Sequence, residues 1–136
     1  MEIKFKAKQI ATQEWVEGYY TIHGHCGLIH PFDSTPSKIV DPKTVCQFTG
    51  LKDKNGEDIY LADLIQIRNF IYEIRFEKGS FVLYNLHNGT RWGLLSRLYD
   101  SDMSEFSKGF SVIGNIFDNP ELLNKWKKKL TTYLKR

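Results

Sequence analysis

Two Asn-Gly pairs, Asn55-Gly56 and Asn88-Gly89, border short segments rich in β-branched and aromatic residues. Asn-Gly accepts the positive φ angles of a tight turn, so each pair predicts a reversal of the chain. A chain that reverses every few residues builds antiparallel sheet. Residues 64–67, 70–76 and 81–86 form such a meander, with Glu77-Lys78-Gly79-Ser80 as its second connection.

The beginning of the chain reads the same way. Glu2, Lys4, Lys6 and Lys8 alternate with Ile3, Phe5 and Ala7, the two-residue period of a half-buried strand, and residues 15–22 return beside it as the second arm of a hairpin. Residues 44–49 and 110–116 add two short strands, while Leu94 to Tyr99 fits a strand or a helical turn. Gly24, Gly27, Pro31, Pro36 and Pro42 break up residues 23–42, which predict no long element and leave only the apolar pairs Leu28-Ile29 and Ile39-Val40.

With no β-α-β alternation and no internal repeat, the pattern favours a mainly β fold, a small SH3-like barrel, over an α/β one. The 136 residues suit one domain. Within it, residues 1–43 read as an N-terminal β-hairpin region with an irregular loop, 44–119 as the barrel and 120–136 as a basic, amphipathic C-terminal α-helix. Asn119 is placed to cap that helix, Pro120 suits its first position, and Glu121 and Lys135-Arg136 suit the two ends of its dipole. Leu122, Leu123, Trp126, Leu130, Tyr133 and Leu134 recur at helical spacing and leave Lys125, Lys127, Lys128 and Lys129 mostly on the other faces.

Charge narrows the function classes. The net charge is +3, yet residues 120–136 carry six Lys or Arg against Glu121 alone, and the first 119 residues carry 13 basic and 15 acidic side chains. Only the last helix offers an electrostatic footprint for nucleic acid, so non-specific duplex binding by the body is disfavoured. No apolar run is long enough to span a bilayer, and the charged start Met1-Glu2-Ile3-Lys4 does not resemble a signal peptide, so a cytoplasmic location with no membrane partner is expected. Cys26 and Cys46 then read as free thiols.

The segment from Thr44 to Ile65, with Thr49-Gly50-Leu51-Lys52-Asp53-Lys54-Asn55-Gly56 and Asp63 within it, strongly resembles the hallmark of the YopX family of phages and prophages. Ile3 to Ala7, Trp15 to Gly18 and Val112 to Leu123 agree in the same order. The resemblance implies an SH3-like barrel in the C-terminal part, an uncharacterised role in phage biology inside a bacterial host cell, and no known active site. The chain departs from the family pattern at Cys46, where Gly is common, at Leu61-Ala62, where Glu-Gly commonly precedes the aspartate, and in the Lys-rich segment beyond Leu123.

Few residues carry a chemical motif. His23, His25, Cys26 and His30 contain zinc-ligand types, but His-x-His-Cys-x3-His is no four-ligand pattern, and neither metal nor cofactor is expected. Asp53, Glu57, Asp58 and Asp63 could pair for acid-base work, but the turn at Asn55-Gly56 explains them better: Asp53 as acceptor for turn amides, Glu57 and Asp58 as solvated, Asp63 as a cap into the next strand. Thr49, Gly50, Asp53, Asn55, Gly56 and Asp63 are therefore read as a structural turn. No phosphate loop, nucleophile elbow or HExxH occurs, and no serine has a histidine beside it in a familiar motif, so an enzyme is not expected.

The leading expectation is a non-catalytic phage or prophage accessory or protein-interaction module. Its partner would be a host or phage protein, and a second copy of the chain is also compatible with exposed sheet edges. The alternative is a nucleic-acid-binding barrel using Arg91, Trp92, Lys125, Lys127, Lys128 and Lys129, with Tyr72, Arg75 and Tyr84 nearby on the meander.

Overall fold

A computed structural model describes residues 2–123. The chain divides between Gly50 and Leu51 into two units. Both are built from antiparallel strands.

The first unit contains β1 (Phe5–Lys8), β2 (Trp15–His23), β3 (Cys26–Pro31), β4 (Lys38–Val40) and most of β5 (Cys46–Lys52). Their order in the sheet is β4-β3-β2-β1-β5. The expected hairpin of β1 and β2 is present, with Ala7 opposite Val16 and Lys8 opposite Trp15. The sheet curls until its β4 side meets the end of β1. Gln9 bridges Val40, the Asp41 amide donates to the Lys8 carbonyl at 2.9 Å, and the Ile10 amide donates to the Ile39 carbonyl at 3.1 Å. Inside the curl, Ala7, Ile29 and Val40 are fully buried, with Phe5, Val16, Tyr20 and Val45 packed around them. Covering a side chain of the size of Ile29 contributes about 2 kcal/mol. Such curvature demands a close approach: a Cβ on Gly18 would lie 2.1 Å from the His30 carbonyl oxygen, so only glycine fits there.

Residues 23–42 are thus more ordered than their glycines and prolines predict. β3 and β4 pair through Gly27↔Val40, Leu28↔Ile39 and Ile29↔Lys38, and a 3-10 turn at Pro42–Thr44 follows. Gly24 falls in a turn, Pro31 ends β3, Pro36 lies in the link between β3 and β4 and Pro42 opens the 3-10 turn, while Gly27 is accommodated within β3; pairing of the short apolar segments supplies the order that no long periodic run announces.

The second unit holds β6 (Asp58–Tyr60), β7 (Asp63–Ile67), β8 (Phe70–Glu77), β9 (Ser80–Asn85), β10 (Thr90–Leu94) and β11 (Ser111–Asn115). The meander is as expected, and the sheet order is β10-β9-β8-β7-β11. This is an open five-stranded sheet, and the expected SH3-like barrel is not formed among the described residues. The physical reason lies between β10 and β11. That stretch is spent on 3-10 turns at Leu95–Tyr99 and Ser101–Met103 and on the short helix α1 (Ser104–Ser107), leaving β10 and β11 as opposite edges. Leu94 to Tyr99, open between strand and helix by sequence, is therefore mainly 3-10 helical. Its Leu95 and Leu98 join Ile59, Ile65, Ile67, Tyr72, Ile74, Leu83 and Phe110 in the core, and their burial accounts for the turn being held on the sheet.

The family segment at the end of the unit is a network of side-chain caps. Asn115 Oδ1 accepts from the amides of Phe117 and Asp118, both at 2.9 Å, and Asn119 Oδ1 accepts from the Asn115 amide at 3.1 Å. Asn119, expected to cap the last helix, thus turns its side-chain oxygen back to β11. Gly114 leaves room for it, since a Cβ there would meet that oxygen at 2.2 Å. Residues 120–123 are helical. The rest of the expected C-terminal helix, with Lys125, Lys127, Lys128 and Lys129, lies outside the described residues.

Candidate functional site

In the first unit Tyr19 stands opposite His30, and Thr21, Leu28 and Ile39 are opposite one another across three strands. Directly opposed residues of antiparallel strands project to the same side. Because Ile29 and Val40 take the inside, Tyr19, Thr21, Leu28, His30 and Ile39 share the outside. Tyr19 is 59% exposed and Ile39 55%. Phe32, 46% exposed, sets its ring edge-on to Tyr19 at 4.7 Å between centroids. The result is an exposed aromatic and aliphatic face on a hydrogen-bonded strand scaffold.

His30 sits within that face and is held at both nitrogens. Thr21 Oγ1 lies 2.6 Å from Nε2, and Ser37 Oγ lies 2.7 Å from Nδ1. Ser37 reaches it because the chain after β3 turns back into β4. His23 and Cys26 face each other at the hairpin tip. Among the described residues no group of three or more His, Cys, Asp or Glu is placed to hold a metal ion.

The carboxylates of the family turn are engaged. Asp53 is buried; its Oδ1 accepts from the amides of Asn55 and Glu57, both at 2.8 Å, and its Oδ2 accepts from the Val112 amide at 2.9 Å. Asn55 and Gly56 form the turn that this carboxylate closes, with Gly56 at φ 82°. Asp63, also buried, accepts from the Tyr60 amide at 2.8 Å. Asp58 is half-buried and pairs with Lys52 at 3.1 Å, while Glu57 is exposed. Thr49 and Gly50 lie in β5, at the end of the first unit.

Of the residues read as nucleic-acid contacts, those on the meander that the structure describes make contacts within the second unit. Trp92 is half-buried, stacked on Phe106 at 5.1 Å with the rings 5° from parallel, and packed against the core. Tyr72 is buried, and burial pushes its phenol up from the ordinary value. Arg75 lies 3.5 Å over the Tyr84 ring, whose hydroxyl donates to the Gly89 carbonyl at 2.6 Å. Arg91, exposed, stands opposite Tyr84 and reaches Glu77 at 3.8 Å. Tyr84 and Arg91 therefore share a face with the Glu73–Arg75 ion pair, whereas Trp92 packs against the core. The outer face of the first unit escaped the sequence reading, because Leu28-Ile29 and Ile39-Val40 are too short to announce strands singly.

Geometry thus defines a class: a mainly β protein of two antiparallel-sheet units, whose buried carboxylates close turns and whose outward aromatic residues stand on a curled sheet. The chain belongs to the YopX family; the family model, described as YopX protein, matches residues 2–124. Its structure is similar to the crystal structure of protein EF1440 from Enterococcus faecalis, at 23% identity and a TM-score of 0.51, over 90% of this chain and 99% of that one. That likeness speaks for the fold alone. No curated protein matches the chain. Among the described residues, no helix is long and apolar enough to cross a membrane.

Proposed function

We propose that this chain is a non-catalytic interaction module of a phage or prophage, acting in the cytoplasm of a bacterial host and binding a protein through the outer face of β2, β3 and β4. The observation that supports the reading is the grouping of Tyr19, Phe32 and Ile39, all substantially exposed, on one side of a curled, hydrogen-bonded sheet. Exposed aromatic side chains on a fixed backbone bury large area at small entropic cost, the property of interface anchors. The engaged carboxylates of Asp53 and Asp63 favour the same reading, since each already holds backbone amides.

The test places a photo-crosslinking phenylalanine analogue at Tyr19 in producing cells, with the same group at Lys78 in the β8–β9 turn as reference. A discrete protein adduct at Tyr19, absent at Lys78 and lost when Ile39→Asp is added, is the expected result. Equal adducts at the two sites, none at Tyr19, or an adduct indifferent to Ile39→Asp would overturn it. The nucleic-acid alternative now rests on Arg91 and the lysines beyond the described residues, because the Trp92 ring is taken by Phe106.

A further inference from the structure

We propose that Ser37 is a base-assisted nucleophile and the chain's preferred site of acylation, a covalent modification of the face described above. Ser37 Oγ lies 2.7 Å from His30 Nδ1, and His30 Nε2 lies 2.6 Å from Thr21 Oγ1. A hydroxyl within hydrogen-bond reach of an imidazole that a third group orients is the arrangement that activates serine. In the tautomer with the proton on Nε2, that N–H donates to Thr21 and Nδ1 accepts the Ser37 O–H. Three adjacent segments hold the array: β2 carries Thr21, β3 carries His30, and the turn into β4 carries Ser37. Ser37 is exposed, so a donor in solution reaches it.

The ligand class is an activated acyl donor. Ser37 Oγ bonds to the acyl carbon as its proton passes to His30 Nδ1. The bond from that carbon to the leaving oxygen breaks, the leaving group departs as an anion, and the imidazolium returns its proton to solvent. The third group is a neutral hydroxyl where efficient acyl-transfer triads use a carboxylate, so the imidazolium gains little stabilisation. Stoichiometric modification, not turnover, is the consequence, which keeps the chain a binding module. Through His30, the cross-strand partner of Tyr19, an acyl group on Ser37 would alter the proposed contact face. In that regulatory sense the inference rests on the binding reading, while its test is chemical and independent of any partner.

The full chain is treated with p-nitrophenyl acetate and acetylation is mapped by mass spectrometry of its peptides. Ser34, exposed in the same turn, is the internal reference. Ser37 is expected to acetylate at least about tenfold faster than Ser34, and His30→Gln to remove that advantage, a threshold below the roughly 10²–10⁴-fold that well-positioned bases supply. Thr21→Val is expected to lower it in part. Equal rates at Ser37 and Ser34 in the unaltered protein would overturn the proposal, and so would an unchanged Ser37 rate in a folded His30→Gln protein. The first comparison needs no variant, so a variant that fails to fold leaves the proposal decidable.

Discussion

At the scale of single residues, Ala62 shows what the family turn requires. Its φ of 73° lies in the left-handed region, where a Cβ costs about 1 kcal/mol or more. The conformation is held from both sides, by the Ala62 amide on the Ile74 carbonyl at 2.9 Å and by the Ile116 amide on the Ala62 carbonyl at 3.1 Å. The turn therefore keeps the geometry that glycine would supply without strain. Ala62→Gly should raise stability by about 0.5–1 kcal/mol, after the lost methyl burial is offset, read as a higher urea midpoint with an unchanged slope. Tyr99 governs a second response. Burial first, then the Asp53 charge, push its hydroxyl from 10.0 up to about 12, although the residue is 44% exposed. Its hydroxyl donates to the Lys52 carbonyl, which explains how a partly exposed ring can carry a shielded phenol. The folded state holds this proton more tightly than the unfolded chain. The resulting stability is complete below about pH 10 and is lost as pH rises towards about 12. Tyr99→Phe should flatten that part of the alkaline decline, measured as urea midpoints at pH ~8 and ~11.

Among elements, the Asp53 turn is tied to β11 within the second unit. One carboxylate satisfies amides of Asn55 and Glu57 in its own turn and of Val112 in β11. Charge-assisted bonds of this kind are stronger than neutral ones, and removing their common acceptor leaves three donors to find other partners. Asp53→Ala should destabilise the protein by about 3 kcal/mol or more in urea unfolding. Losing only a few tenths would mean that water replaces the carboxylate without cost. The β3–β4 hairpin illustrates another kind of dependence. Each of its strands has few residues to bury, and its pairing through Leu28↔Ile39 creates both the inner core at Ile29 and Val40 and the outer face at Ile39.

For the whole molecule, the sheets explain why aromatic content alone does not mark a binding face. Tyr72 lies in the second unit's core and Trp92 packs against it, while Tyr19 and Phe32 point away from the first unit's curl. Antiparallel architecture, the hairpin at the beginning, the meander from β7 to β9 and the role of Asp53 were legible in the sequence, because period-two alternation, Asn-Gly turns and a side-chain oxygen beside them act over a few residues. The family was legible from the same turn and from the Val112 to Leu123 segment. Only tertiary structure decided that residues 23–42 form strands, that Leu95–Tyr99 is a 3-10 turn over an open sheet, and that Ser37 meets His30. Each of these depends on which distant short segment becomes a neighbour. Burial and strand register set that choice, and neither is encoded in any local window of the chain.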